Sequence, residues 1–260
     1  MTRQWGRRIP APLPAAKMLR RISPSLPPMV DLRAWCGPIK NQGDLGSCTG
    51  HAFSSGGEWI ARKWLGAAPV LSPLYLYVKE LQANGNFPQD AGSDGTTGCE
   101  VLTSFGCCED WLYPDASQVI KHPTGRMNAN AKTHAMGAYH GLVGSVTAQS
   151  VLGDPVPWPI EIGFTVYSSF ESAEVATTGI YNPDPSTESV LGGHEILLVG
   201  YDLGISPQLR PPGAGPSFLA QNSWGTGWGW GGSGFVWLAT SVLDDPQTDL
   251  KIVHSGPPWP

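Results

Sequence analysis

Apolar residues recur at nearly helical spacing after position 48, which predicts a first helix from Cys48 to a C-cap at Gly66. Ser72–Pro73 forms a favourable N-cap and N1 pair, so a second helix is expected over residues 74–83. A third, short helix is expected over residues 97–105. The predicted helices therefore all lie in the first half of the chain.

Beyond about residue 125 the pattern becomes strand-like. Four apolar runs, separated by turns rich in glycine and proline, predict strands over residues 160–166, 195–201, 217–221 and 234–238. Because helices come first and strands later, we predict an α+β fold with two lobes. The helical lobe is expected to span residues 30–125, and the β-rich lobe residues 126–260.

Residues 1–29 form a third region, which we expect to be an extended and partly disordered arm, with order beginning near Val30. Residues 1–30 contain six prolines, six cations and no acid, and they show no apolar period. The rest of the chain holds 10 cations against 21 acids. The arm is therefore expected to be either a solvated tail or a strap on the acidic body.

The composition narrows the class of protein. An acidic body argues against nucleic acid as a partner, because phosphate binding requires a basic face. No stretch approaches the roughly 18 to 20 apolar residues that a membrane helix needs, so no membrane partner is expected. The N-terminus shows no export signal, which favours a cytoplasmic location. The oligomeric state is left open.

Four polar residues stand in contexts that suit thiol chemistry. Cys48 follows a glycine-rich turn and opens a helix, where the helix dipole favours the thiolate that acts as a nucleophile. Gln42 lies on the same turn and can offer an amide to an oxyanion. His194 begins an apolar strand after two glycines, and Asn222 precedes a tryptophan, Trp224. An asparagine can hold an imidazole tautomer while an indole shields the pair from water.

Three motifs carry a resemblance to a known family. The run NQGDLGSC, which ends at Cys48, resembles the nucleophile motif of the papain family of cysteine peptidases. GHEILLVGY around His194 and QNSWGTGWG around Asn222 resemble its histidine and asparagine motifs. Asp94-Gly95-Thr96 and other short runs resemble the bacterial and microbial branches of the family.

The resemblance implies a fold, an activity and site residues. The fold is a papain-like two-lobe α+β fold, with a helical lobe, an antiparallel β-barrel-like lobe and a cleft between them. The activity is that of a cysteine endopeptidase that hydrolyses polypeptides through a thioester, without a cofactor or metal. The catalytic set is Cys48, His194, Asn222 and Gln42. The substrate-binding set is Trp224, Asp94, Gly95, Thr96, Ile160 and Gly193. Residues 1–29 are then a possible pro-segment.

Spacing and departures from the family refine this interpretation. His194 lies 146 residues beyond Cys48, within the range of about 130 to 150 expected. Asn222 lies 174 residues beyond Cys48, which we attribute to a loop insertion over residues 202–215. Leu45 replaces a disulfide cysteine, and Thr49 replaces a tryptophan. Glu195, next to the predicted base, is expected either to point into a polar pocket or to perturb the imidazole.

Other interpretations remain open. A related Cys–His acyltransferase or transglutaminase-like enzyme would share the residue order, and a non-catalytic papain-fold binding protein would share the fold. His51, one turn after Cys48, could approach the thiol, but it is more simply a structural residue. No disulfide is assigned, and without a C-x-x-C pair no zinc site is expected. The remaining cysteines are Cys36, Cys99, Cys107 and Cys108, and the remaining histidines, interpreted as surface or structural residues, are His122, His134, His140 and His254.

Overall fold

The structure is a computed structural model that describes residues 5–19, 25–204 and 215–254. Its helices are α1 (Cys48–Ile60), α2 (Pro73–Ala83), α3 (Gly95–Ser104), α4 (Gly125–Ala131), α5 (Gly144–Leu152), α6 (Ala173–Thr178) and α7 (Thr240–Asp244). Its strands are β1 (Met29–Asp31), β2 (Ala138–Leu142), β3 (Ile160–Tyr167), β4 (Ile180–Tyr181), β5 (Val190–Asp202), β6 (Ser217–Gln221), β7 (Phe235–Ala239) and β8 (Asp249–His254).

Helix α1 is the central helix, and its two internal glycines have a packing reason. A Cβ at Gly56 would lie 2.1 Å from Glu161 Oε1 on β3, and a Cβ at Gly57 would lie 3.0 Å from Leu71 Cδ1. Glycine weakens a helix by about 1 kcal/mol relative to alanine at each such position. It is required here because the helix lies so close to its neighbours that a side chain would clash. A single π-helical turn follows α1 and ends at Gly66, whose φ is 64°.

The strands form one open sheet. Its order is β2-β8-β3-β5-β6-β7-β4, and β1 adds to β5. Neighbouring strands are antiparallel except for the parallel pair of β4 and β7. Among the described residues, the terminal strands of this order do not pair with each other, so the sheet is open rather than closed into a barrel. The long strand β5 brings His194 opposite Phe164 of β3.

The core lies between α1 and the face of the sheet. Phe53 and Trp59 of α1 are fully buried with Leu197 of β5 and Ile162 of β3. The Trp59 indole also donates a hydrogen bond to Leu32 O at 3.0 Å. Each such side chain stabilises the fold by roughly 1.5–3 kcal/mol relative to its exposed state. The burial fixes the start of α1 against the strand that carries His194.

Most predicted elements are present. The three predicted helices correspond to α1, α2 and α3, and Ser72 Oγ caps α2 by accepting from Tyr75 N at 3.1 Å. The four predicted strands correspond to β3, β5, β6 and β7. The sequence interpretation did not predict four strands, β1, β2, β4 and β8, or the four helices α4, α5, α6 and α7, which lie at or beyond residue 125. Within the described residues, no helix is both long and apolar enough to cross a membrane.

The arm differs from the expectation that order begins near Val30. Residues 5–19 already lie against the body, through isolated bridges of Arg7 with Ser93 and of Met18 with Gly141. Residues 1–4 and 20–24 of the arm lie outside the described residues. So do residues 205–214, which make up most of the predicted loop insertion.

Candidate active site

The start of α1 positions Cys48. The helix begins at this residue, and His51 N donates to Ser47 O at 3.1 Å in its first turn. The thiol is fully buried. Burial raises the pKa of Cys48 to about 12, and the nearby carboxylates of Glu195 and Glu80 add to the rise, while backbone N–H groups of Glu195 and Thr49 oppose it. The helix dipole predicted from the sequence is present, but in this covered state burial outweighs it.

Strands β5 and β6 bring His194 and Asn222 together. His194 Nε2 lies 2.8 Å from Asn222 Oδ1, and both side chains are buried. Because an amide oxygen can only accept, Nε2 must carry the proton in this bond. The same oxygen accepts from Ser223 N at 2.8 Å, which fixes the orientation of the amide. A neutral His194 is therefore held with Nδ1 as its basic nitrogen.

Aromatic rings enclose the imidazole. The centroid of Trp224 lies 5.2 Å from that of His194, and Phe170 packs edge-on against Trp224 with centroids 5.0 Å apart. Phe164 approaches from β3, with its ring centroid 6.0 Å from that of the imidazole. The arm supplies the fourth ring, because Trp5 lies edge-on to His194 at 5.7 Å between centroids. These rings exclude water from the His194–Asn222 hydrogen bond.

Gln42 is buried on the turn before α1. Its Nε2 donates to Leu45 O at 2.9 Å, and its Oε1 accepts from Ser223 Oγ at 2.7 Å. An amide nitrogen has two hydrogens, so one remains for a further acceptor after the bond to Leu45. The Gln42 side chain is thus fixed by both the turn and the residue next to Asn222.

Residues 40–42 and 223–225 form a seam across the base of the cleft. Gln42 N donates to Ser223 O at 2.9 Å, and Gly225 N donates to Lys40 O at 2.9 Å. Asn41 also makes an isolated antiparallel bridge with Trp224. This seam fixes the turn that precedes Cys48 against the segment that follows Asn222.

The arm runs through this site. Arg7 N donates to Gly193 O at 3.2 Å, Arg8 N donates to Ser93 O at 2.6 Å, and Ser93 N donates to Gly6 O at 2.7 Å. A Cβ at Gly6 would lie 1.8 Å from Gly46 O, two residues before Cys48, so the arm backbone lies directly on the turn that leads to the thiol. The arm therefore covers the cleft from the aromatic rings to Ser93.

Glu195 points into a buried polar pocket, the first of the two orientations expected. Arg7 Nε lies 3.9 Å from Glu195 Oε2, and both side chains are almost completely buried. Burial raises the pKa of the Glu195 carboxyl, the Arg7 guanidinium opposes this rise, and Asp249 adds to it. Asp249 itself forms an ion pair with Lys251.

The predicted substrate-binding residues are not all brought to the cleft. Trp224 packs beside His194, Gly193 precedes it, and Gly95 lies against the Glu195 carboxylate, whereas Asp94 is occupied as the N-cap of α3, accepting from Thr97 N at 3.0 Å. Thr96 is half-buried in the first turn of α3. The prediction for Ile160 is wrong, because Ile160 is fully buried in the core and lies four residues along β3 from Phe164, the residue opposite His194.

Sequence reasoning missed Ser93 and Gly163. Ser93 makes two main-chain hydrogen bonds with the arm, through its N–H and its C=O, a role that its side chain does not signal. Gly163 on β3 pairs with Glu195, and its missing side chain leaves space for that carboxylate. A glycine within an otherwise apolar strand was the available signal.

The remaining cysteines and histidines lie apart from this chemistry. All five cysteines are free thiols. His51 does not face the thiol as a base, because its Nδ1 lies 2.9 Å from Ser47 O and its Nε2 lies 3.1 Å from Asp115 Oδ2. His140 and His254 stack on each other with centroids 5.3 Å apart. Within residues 5–19, 25–204 and 215–254, no group of three or more acidic, cysteine or histidine side chains could hold a metal ion.

Known structures share this fold. Xylellain, a cysteine protease from Xylella fastidiosa, superposes with a TM-score of 0.81 at 22% identity, over 98% of this chain and 97% of that chain. Bromelain from Ananas comosus, in complex with the E64 inhibitor, superposes with a TM-score of 0.66 at 18% identity, over 89% of this chain and 100% of that chain. At these identities the likeness shows the fold, which is papain-like α+β.

Sequence relatives agree with the structural ones. An uncharacterised peptidase C1-like protein of Acanthamoeba polyphaga mimivirus is 28% identical over 204 residues, which are 74% of this chain and 61% of that protein. Mouse cathepsin K is 27% identical over 218 residues, 82% of this chain and 60% of its own length. The chain thus spans about 60% of the length of these curated relatives.

A family model described as papain family cysteine protease matches residues 113–248, just over half of the chain. The matched range contains His194 and Asn222, while Cys48 and Gln42 precede it. The match agrees with the hydrogen bond between His194 and Asn222 and with the shared fold. This chain belongs to the papain family of cysteine proteases.

Proposed function

We propose that this protein is a cysteine endopeptidase that hydrolyses polypeptides, with Cys48 as nucleophile and His194 as base. The observation that carries the proposal is the 2.8 Å bond from His194 Nε2 to Asn222 Oδ1, which places the proton of a neutral imidazole on Nε2 and makes Nδ1 the basic nitrogen that can take a proton from a thiol. Cys48 at the start of α1 and the aromatic cover of the imidazole support the same assignment. Asn222 orients the base, and Gln42 contributes to an oxyanion hole.

The reaction proceeds in two steps. His194 takes the thiol proton, and the Cys48 sulfur attacks the peptide carbonyl carbon to form a tetrahedral intermediate. The Cys48 N–H and the second Gln42 amide hydrogen stabilise its oxyanion. The C–N bond breaks as His194 donates its proton to the leaving amine, and a thioester remains. His194 then takes a proton from water, the hydroxide displaces the sulfur, and the acid product leaves.

Labelling by an epoxide thiol inhibitor tests the nucleophile. Intact-mass analysis should show one inhibitor on the wild-type chain and none on Cys48→Ala. Cys36→Ala is the matched control, because Cys36 is the cysteine of the five that is only partly buried, and this variant should still be labelled once. Label that disappears with Cys36→Ala and persists with Cys48→Ala would reject the proposal.

The arm is the second part of the proposal: residues 5–9 hold the site closed. The Trp5 ring covers His194, Gly6 lies on the turn before Cys48, and Arg7 is anchored beside Glu195. Opposite charge contributes to docking, although exposed ion pairs are worth under about 1 kcal/mol and weaken with salt. The contacts of the partly buried Trp5 and of the buried Arg7 are therefore expected to dominate.

Two variants of this chain test this role. We call the chain carrying Trp5→Ala and Arg7→Ala the arm-release chain, and it should hydrolyse a small peptide substrate faster than the wild type. Lys17→Ala is the comparison variant, because it removes a cation of the same arm that contacts the body at another place, where its Nζ donates to Tyr139 Oη at 2.6 Å. If both changes raise activity equally, attachment of the arm in general, and not its Trp5 and Arg7 contacts, holds the site closed; if neither does, the arm is not inhibitory.

A further inference from the structure

The pocket that holds Arg7 has an excess of acid. Glu195 is fully buried, and neither of its carboxylate oxygens has a hydrogen-bond partner. Asp249 and Glu80 also act on the Glu195 charge as neighbouring acids, while Lys251 is the neighbouring cation of the body. Arg7 from the arm supplies the second cation. Without it, a buried carboxylate would be left without sufficient compensation, which is costly in a low-dielectric interior.

Arg7 itself is held more by charge than by fitted hydrogen bonds. Its side chain is 1% exposed, its Nη2 donates to Gln247 O at 3.0 Å, and its Nε has no hydrogen-bond partner. The 3.9 Å separation between Arg7 Nε and Glu195 Oε2 is an ion-pair distance rather than a hydrogen bond. The pocket therefore offers a cationic group a complementary field that another cation could also use.

Glycines make the space for this pair. A Cβ at Gly163 would lie 2.5 Å from both Arg7 Nε and Glu195 Oε2, and a Cβ at Gly193 would lie 2.9 Å from Arg7 Cδ. A Cβ at Gly95 would lie 3.1 Å from Glu195 Oε1. None of these three glycines has a positive φ. Their lack of a side chain is thus required by the volume of the pocket and not by the backbone.

The main chain around the pocket is suited to an extended peptide. Ser93 offers both its N–H and its C=O, and Gly193 offers its C=O immediately before His194. The arm uses these groups in a parallel bridge, but the same groups can pair with a chain of the opposite direction. A substrate can therefore lie on Ser93 with a side chain where that of Arg7 now lies.

The order of contacts along the arm assigns the pocket to one side of the scissile bond. Trp5 lies against His194, Gly6 lies over the turn before Cys48, and Arg7 occupies the pocket. Because His194 donates a proton to the leaving amine, the leaving group departs on the Trp5 side. The pocket then receives a side chain of the acyl portion. That side chain belongs to the residue immediately before the one whose carbonyl is attacked.

We propose that this pocket selects substrates with arginine as the second residue before the scissile bond, and that Glu195 is the specificity-determining residue. This inference rests on the proposed peptidase function. Arg7 then occupies the position that a substrate arginine takes after the arm leaves. Arginine is favoured over lysine because its longer, planar cation matches the space now filled by Arg7.

The test compares two fluorogenic peptides that differ only in arginine or leucine at the second residue before the scissile bond. In the arm-release chain, kcat/KM should be at least about tenfold higher for the arginine peptide, the scale of one buried charge interaction. Adding Glu195→Gln should lower the ratio of kcat/KM for the arginine peptide to that for the leucine peptide by about tenfold or more; the ratio is compared because Glu195 also acts on Cys48, an effect that both peptides share.

Two further variants guard against a general defect. Glu174→Gln removes the same charge at an exposed position of α6 and should leave both rates unchanged. Glu195→Asp keeps the charge and should retain part of the arginine preference, which a purely structural role of Glu195 would not produce. Equal kcat/KM for the two peptides, or an equal loss with Glu195→Gln, would overturn the inference.

A binding measurement separates this inference from the proposed function. N-acetyl-arginine methylamide and N-acetyl-leucine methylamide are titrated into the arm-release chain carrying Cys48→Ser, where no chemistry can occur. Arginine binding that is at least about tenfold tighter, and is lost with Glu195→Gln, supports the pocket even if no peptide is cleaved. Equal binding overturns the pocket, whereas absence of inhibitor label on Cys48 would reject the peptidase proposal alone.

Discussion

The two walls of the cleft position their residues in different ways. On the helical wall, polar groups are fixed by near neighbours in sequence, as in the Gln42 bond to Leu45 and the Asp94 cap of α3. On the sheet wall, His194 and Asn222 are 28 residues apart and meet only because β5 and β6 pair. The helical wall can thus form its geometry locally, whereas the sheet wall depends on strand register. Substitutions that disturb strand pairing in the sheet wall should therefore affect folding as well as catalysis.

The largest effect is expected at the nucleophile. Cys48→Ala in the arm-release chain should lower kcat on the order of 10⁴-fold or more, because the catalytic groups act as a unit. The melting temperature should change little, since the helical wall keeps its local bonds. Steady-state kinetics and thermal unfolding measure the two quantities. Turnover near that of the arm-release chain would remove Cys48 from its assigned role.

On the sheet wall, the base and its orienting partner should differ. His194→Ala removes the proposed general base and should cost about 10²–10⁴-fold or more in kcat. Asn222→Ala should cost less, because the imidazole remains and only loses the partner that fixes Nε2. The same kcat for the two variants, or no effect of Asn222→Ala, would contradict the orienting role.

Gln42→Ala should lower kcat by about 10²-fold, the usual scale for the loss of one oxyanion donor. The variant also loses the bond from Ser223 Oγ, so Ser223→Ala serves as its control and should have a smaller effect. A change confined to KM would assign Gln42 to substrate binding instead.

The smallest effect concerns the charge state of the thiol. Burial raises the pKa of Cys48 to about 12 in the covered chain, so little thiolate is present near neutral pH. Because arm release lowers burial, it should lower this pKa, and the pH profile of iodoacetamide alkylation should move to lower pH. At a fixed pH below both pKa values, the thiolate fraction rises about tenfold when the pKa falls by one, and the alkylation rate rises by less than this because a less basic thiolate is a weaker nucleophile. Superimposable profiles would show that the arm does not set the burial of Cys48.

The sequence predicts much of the site because its signals are local or carried by motifs. The C-cap at Gly66 and the Ser72–Pro73 pair fix the helical wall from neighbouring residues alone. The arm could not be predicted in the same way, because its partners, Ser93 and Gly193, lie far away in sequence and contribute main-chain groups that any residue would offer.

The incorrect substrate-binding prediction for Ile160 and the undecided orientation of Glu195 have the same physical cause. Both residues lie on strands, where the face and the neighbour of a side chain depend on register. Ile160 pairs with Leu198 and is buried, whereas Glu195 pairs with Gly163, whose missing side chain makes space for the carboxylate. The identity of a residue does not reveal which strand position will lie opposite it.

The seam between residues 40–42 and 223–225 determines how the site opens. Its hydrogen bonds do not involve the arm, so the arm can peel away while the base of the cleft stays closed. Amide hydrogen exchange should therefore show two groups of N–H protons with different exchange rates. The N–H groups of Gln42 and Gly225 should exchange only through large-scale unfolding, whereas those of Arg8 and Ser93 should exchange each time the arm lifts. The exchange rate of Ser93 then measures the free energy of opening in the resting protein, without substrate or inhibitor.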